Sequence, residues 1–285
     1  MKIKELLAKD RVSLSFEVFP PKKIDSFATV QRASFAIAQL KPSFMSVTFG
    51  AAGTTAGFTM ELAESLQKEQ NVTVLPHLTC VSSNKDQVLK MLEGYKKAGI
   101  ENIMALRGDM PLGEKPQTDF AHASDLIRFI KERSDICIGG ACYPEGHPES
   151  RNKKEDILHL KEKVDAGCDF LTTQMFFDNN IFYNFLYKAR DVGIHVPILA
   201  GIMPITSPKQ LGRSVALSGT NVPERFKAIV DCFADSPEAL KQAGIIYASQ
   251  QIVDLIANGV KYIHVYSMNK PDVAKGIMDN LSEML

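Results

Sequence analysis

A chain of 285 residues that is 45% apolar and 23% charged has ample material for a large core and too much for a disordered or coiled-coil protein. Its 33 basic and 33 acidic side chains cancel and form no basic block, which argues against nucleic acid or an anionic membrane as a partner. No apolar run approaches the roughly 18 residues of a membrane helix. The start, MKIKELLAKD, is broken by Glu5 and Asp10 and is not a signal peptide, and the scattered Cys80, Cys137, Cys142, Cys168 and Cys232 form no C-x-x-C pair. These features read as a soluble cytoplasmic protein with reduced thiols.

From the amino terminus onward, short β-rich apolar runs alternate with amphipathic stretches. The runs lie at 13–19 (SLSFEVF), 44–49 (FMSVTF), 73–79 (TVLPHLT), 102–107 (NIMALR), 136–142 (ICIGGAC), 169–174 (DFLTTQ), 196–201 (VPILAG) and 262–267 (YIHVYS). Helix-like segments such as 26–40 and 86–99 separate them, the second ending at Gly99 as a helix C-cap does. Most strands start about 30 residues apart, the length of one βα unit. The pattern predicts an α/β fold, a (β/α)8 TIM barrel forming a single domain over 1–285. The last interval is twice as long and predicts extra helices at 207–217, 223–233 and 238–258, between strands seven and eight. A doubly wound open sheet is the competing architecture.

Strand parity separates two faces. Leu14, Phe16 and Val18 point one way, and Ser13, Ser15 and Glu17 the other; Ser46 with Thr48, and Thr172 with Gln174, also share faces. This pattern suits a barrel whose outside packs on helices and whose upper lumen is polar. Of the 14 prolines, Pro20, Pro21, Pro111, Pro116, Pro144, Pro148, Pro204 and Pro208 fall just after predicted strands, as do the glycine-rich stretches 50–57, 108–116 and 143–150. Barrel active sites are built from the loops at that end.

Several residues there could carry chemistry. Glu17 ends the first strand among apolar neighbours, so its carboxyl pKa is expected to rise, as a general acid requires; a strand-to-strand salt bridge is the alternative. Arg107-Gly108-Asp109 closes the fourth strand, either as a ligand-binding turn or as a structural Arg–Asp turn. Thr48, Phe49 and Gln174 place neutral groups at strand ends suited to a heteroaromatic edge. His77 and His147 have no partner at metal-ligand spacing, so no metal is expected. Arg151, Lys153, Lys154 and Lys163 are placed around the start of the helix after the fifth strand, with Asp156 among them. They read as a phosphate site or as a solvated charged face. There is no G-x-G-x-x-G, G-K-[ST] or G-x-S-x-G, which sets aside Rossmann, P-loop and common serine-hydrolase machinery.

SFEVFPPK (15–22), SVTFGA (46–51), PHLTC (76–80), ALRGD (105–109), YPEGHPE (143–149), KVDAGCDFLTTQMFFD (163–178), GIMPI (201–205) and HVYSMNK (264–270) occur in an order that resembles the FAD-containing methylenetetrahydrofolate reductases of bacteria, from about residue 12 to 280. The resemblance implies that NADH or NADPH reduces FAD and that the flavin then passes hydride to 5,10-methylenetetrahydrofolate, giving 5-methyltetrahydrofolate. Glu17 matches the family's general acid and Asp109 the aspartate beside flavin and pterin. Thr48, Phe49, Ala51, His77, Arg107, Gly108, Asp109, Ala123, Tyr143, His147, Asp156, His159 and Lys163 match FAD-binding positions, and Gln174, Gln210 and Lys270 match substrate-binding ones.

The chain departs from the family pattern in places. His159 and Glu162 stand where relatives carry Asn and Arg near the FAD phosphates, so Glu162 brings an unfavourable charge unless Arg151 or Lys154 compensates. Ser214 replaces a stacking aromatic, and Lys270 an arginine. The resemblance further implies small-molecule substrates and a homo-oligomer, and it leaves open the electron donor and a second redox subunit. Competing readings are a flavin- or folate-binding subunit without turnover and another flavin barrel of the proline dehydrogenase type.

Overall fold

In the computed structural model, which describes residues 1–21, 23–49, 56–81, 83–109 and 118–285, eight parallel strands close into a barrel in chain order. They are β1 (Ser13–Val18), β2 (Met45–Val47), β3 (Val74–Thr79), β4 (Asn102–Leu106), β5 (Cys137–Cys142), β6 (Phe170–Thr173), β7 (Ile198–Ile202) and β8 (Tyr262–Tyr266). Closure pairs β1 with β8, from Ser13↔Tyr262 to Glu17↔Tyr266. The open-sheet alternative is thereby set aside. Helices α2 (Phe27–Ala38), α3 (Ala56–Glu69), α4 (Lys85–Lys97), α5 (Ala123–Lys131), α6 (Lys153–Asp165) and α7 (Asn179–Asp191) follow the first six strands. After β7 come α8 (Pro208–Ser218), α9 (Glu224–Cys232) and α10 (Pro237–Ala257), where the doubled interval predicted extra helices, and α11 (Pro271–Leu281) follows β8.

Alternation along the strands sorts the barrel into layers. Leu14, Phe16 and Val18 leave β1 outward and join Ile37 of α2 and Leu62 and Leu66 of α3 in the main apolar shell. Local signals fix the helix starts. Asn84, Asn152, Asp178 and Ser207 each accept a hydrogen bond from a backbone N–H of the following first turn.

The amino-terminal segment, in which the sequence announces no element, forms a short helix, α1 (Ile3–Leu7), with a structural task. Ile3, Leu6 and Leu7 are buried with Phe44, Leu75, Met104, Cys137, Phe170 and Leu199, a layer that fills the lumen below the polar end of the strands. Ion pairs of Lys2 with Asp135, and of Lys4 with Asp169 at 3.3 Å, fasten the plug to the barrel rim. None of the described helices is long and apolar enough to cross a membrane.

Candidate active site

Barrel register brings groups far apart in sequence onto Glu17. Glu17 lies opposite Ser46 on one side and Tyr266 on the other. The Ser46 hydroxyl donates to Glu17 Oε2 at 3.2 Å and lies 3.2 Å from His264 Nε2. Glu17 Oε2 is also 3.5 Å from His77 Nε2 and 3.8 Å from His264 Nε2. His264 is 1% exposed and stacks on Phe44 with ring centroids 5.8 Å apart. Its Nδ1 is 2.7 Å from Ser15 Oγ, and the Ser15 hydroxyl also reaches the Ile263 carbonyl at 3.1 Å.

This environment overturns the expectation of a raised Glu17 pKa. Burial is the largest single influence and does push the carboxyl up. The nearby His264 and His77 imidazoles and the Ser46 hydroxyl together outweigh it, holding Glu17 below its ordinary range. The strand sequence could not reveal these partners, which come from three other strands. The strand-to-strand salt bridge of the alternative has a counterpart in the imidazoles of His77 on β3 and of His264 on the neighbouring β8, which pair with the carboxylate as ions when protonated, and the Glu17 side chain keeps 20% exposure. Burial lowers the His77 pKa, and His77 Nε2 and Thr172 Oγ1 are buried with no hydrogen-bond partner among the described residues.

At the same end of the barrel, a cavity of about 580 Å³ is lined by nine of the positions singled out from sequence: Arg107, Gly108, Asp109, Ala123, Tyr143, His147, Asp156, His159 and Lys163. Gly108 has φ +88°, and a Cβ there would lie 2.9 Å from Val81 Cγ1, so only glycine suits this turn. Arg107 is held by Glu149 through two bonds of 2.6 and 2.8 Å, which raise the guanidinium pKa and lower that of the carboxyl. Tyr143 meets His147 edge-on at 4.7 Å, giving an aromatic wall.

Lys163 does not flank the start of its helix, as the sequence reading placed it. It sits in the last turn of α6, its half-buried side chain donates through Nζ to the Ala141 carbonyl at 2.6 Å, and desolvation lowers its pKa. An ammonium desolvated with a single carbonyl bond is a receptor for an anion. Arg151 and Glu162 both line the cavity, whereas Lys154 does not. Sequence reading missed His122, Ser124, Glu149 and Glu155 as lining residues, since only the loop paths bring them in.

The remaining positions divide. Thr48 lies just past β2, its N–H donating to the Val18 carbonyl at 3.0 Å, with half-buried Phe49 next; Ala51 lies outside the described residues. Gln174 follows β6, and its Oε1 accepts from the Met175 N–H at 3.0 Å. Gln210 is largely committed to the loop before α8: its Oε1 accepts from the Thr206 N–H and hydroxyl, both at 3.0 Å, and its Nε2 donates to the Pro204 carbonyl at 3.1 Å. Lys270 Nζ donates to Thr206 Oγ1 at 2.5 Å, so Gln210 and Lys270 meet through one hydroxyl. Ser214 contacts Met203 Sδ at 3.3 Å. Among the described residues no three His, Cys, Asp or Glu side chains are grouped to hold a metal.

Against known proteins, the sequence pattern of methylenetetrahydrofolate reductase matches residues 2–282. The chain belongs to the methylenetetrahydrofolate reductase family. The 5,10-methylenetetrahydrofolate reductase of Pectobacterium carotovorum subsp. carotovorum is 34% identical over 272 residues, covering 95% of this chain and 90% of that one. The Escherichia coli K12 enzyme is also 34% identical, with 95% and 91% covered. Methylenetetrahydrofolate reductase (NADH) 1 of Arabidopsis thaliana is 34% identical over 98% of this chain, which spans only 50% of the plant protein's length. A Clostridium thermocellum protein that binds two copies of 5-methyl-5,6,7,8-tetrahydrofolic acid superimposes with a TM-score of 0.68 at 13% identity, over 100% of both chains. At that identity the likeness is one of fold.

Proposed function

We propose that residues 1–285 act as one catalytic barrel that reduces 5,10-methylenetetrahydrofolate to 5-methyltetrahydrofolate, with NADH or NADPH as electron source and FAD as the bound carrier. The observation that carries this reading is the Glu17 carboxyl at the carboxyl end of β1, at the same barrel end as a cavity of about 580 Å³ with half-buried Lys163 and Arg107 on its walls. Family membership and the bacterial relatives named for this activity support it.

The residues present fit FAD. Lys163 and Arg107 would take its phosphates, Gly108 leaves room for close approach, and Tyr143 with His147 offers an aromatic wall; Ala123, Asp156 and His159 also line the cavity, while Thr48 and Phe49 lie outside its lining, just past β2. Bound there, FAD supplies two-electron transfer between nicotinamide and folate. Glu17 gives a proton to the folate nitrogen that leaves as the five-membered ring opens. A pterin covering the carboxyl would exclude its remaining water and strengthen the influence of burial, moving the pKa upward from its value in the open site. Asp109 sets a negative charge beside the carrier, while Gln174, Gln210 and Lys270 bind substrate. Free thiols, four of the five buried, suit a reducing cytoplasm. Exposed Ile246 and Val253 on one face of α10 supply apolar surface for a homo-oligomer.

Glu17→Gln tests the reading. The variant should bind FAD and accept electrons from the nicotinamide donor while losing folate reduction by about a hundredfold or more. Folate reduction at the parent rate would remove Glu17 as the acid.

A further inference from the structure

Side chains of the loop after β8 continue the β1–β8 ladder where its backbone stops. The last backbone rung pairs Glu17 with Tyr266. Just beyond it, the Ser267 hydroxyl donates to the Glu17 carbonyl at 2.6 Å. The Asn269 carboxamide then accepts from the Phe19 N–H and donates to the Phe19 carbonyl, both at 2.9 Å. Pro20 and Pro21 follow and have no N–H, so Phe19 is the last backbone donor by which the chain leaving β1 is held for two residues.

The loop adopts an unfavourable backbone to make this clamp. Lys270 N–H bonds the Ser267 carbonyl at 3.0 Å, and the two residues between, Met268 and Asn269, have φ +53° and +55°. Among the described residues the other non-glycines with positive φ are Lys41 and Asn71, each just past a helix, where the conformation is ordinary. Asparagine tolerates it and methionine does not, and such strain persists where surrounding contacts hold it for a purpose. Lys270 then reaches Thr206, so one short loop ties the ends of β1 and β7 together.

We infer that Asn269 is a positioning residue for Glu17: its carboxamide, aided by the Ser267 hydroxyl, pins the end of β1 so that the carboxyl stays against Ser46, His264 and His77. The inference rests on Glu17 being the acid. The experiment uses the FAD-loaded full chain carrying Asn269→Gly, which keeps the left-handed backbone and removes the carboxamide, alone and combined with Glu17→Gln. Flavin reduction by the nicotinamide donor should match the parent. Reoxidation by methylenetetrahydrofolate should slow about tenfold to a hundredfold with KM little changed, and Glu17→Gln should absorb that loss in the double variant. In the flavin-free protein, the Glu17 carboxyl followed by carbon-13 NMR should titrate higher, having left the groups that lower it.

Equal slowing of both half-reactions, full additivity with Glu17→Gln, or an unmoved titration would overturn the inference. So would failure of both Asn269→Gly and Asn269→Asp to fold, since the residue would then be purely structural. A Glu17→Gln variant that reduces folate normally sinks the acid assignment instead, and the NMR titration still reports whether Asn269 holds the carboxyl in place.

Discussion

Arg107 and Glu149 face each other as a two-point ion pair on the cavity wall, Nη1–Oε2 2.6 Å and Nη2–Oε1 2.8 Å. The carboxylate thus occupies the guanidinium face that a ligand phosphate would use. Glu149 is 57% exposed, so solvent weakens the pair and its loss should leave the fold nearly unchanged. Glu149→Gln should tighten FAD binding by about twofold to fivefold, read by flavin fluorescence titration, with the gain shrinking as salt is added. Weaker binding in the variant would mean that Glu149 aims Arg107 rather than competes for it.

Glu17 and His77 give the protein an acid-sensitive stability. The Glu17 carboxyl is held below its ordinary value, so its contribution is complete above about pH 4.3 and lost as pH falls through the folded value. Burial lowers the His77 pKa, so the unfolded chain takes up that proton first, from about pH 6.5 downward. Both effects have one sign. The urea midpoint should fall from pH 7 to pH 3.5, and His77→Gln should flatten the part of that fall above about pH 5, leaving the Glu17 part below about pH 4.3. A midpoint that is level or rising on acidification contradicts the assignment.

Asp109 lines the same cavity as Arg107 and Lys163. A fixed negative charge beside a carrier opposes its electron-rich state. Asp109→Asn should therefore raise the midpoint potential of bound FAD, measured by dye-coupled titration, and an unchanged or lowered potential would place the carboxylate away from the ring.

The lumen plug can be loosened by one residue. Leu7 is 1% exposed within the layer beneath the polar groups. Leu7→Ala should cost about 2–4 kcal/mol in urea unfolding. A cost under about 1 kcal/mol would show the plug to be dispensable to the barrel.

Period and spacing made the eight strands and the inserted α8–α10 legible, because burial on a helix-covered barrel writes itself into every strand. Parity even pointed Ser15, Glu17 and Ser46 inward. The side chains that decide Glu17's ionisation were hidden, since pairing Ser15 with His264 is set by barrel closure between residues 249 positions apart. Lys163 was misplaced because the helix start was read as reaching it, whereas it lies in the last turn of α6 and only its long side chain extends back to Ala141. The role of α1 was invisible for a similar reason: five residues carry too little periodicity to announce a helix.

The stopper formed by Ile3, Leu6 and Leu7 also decides traffic. With the amino-terminal end of the lumen filled by hydrocarbon, molecules bound for Glu17 approach from the opposite, loop-bearing end.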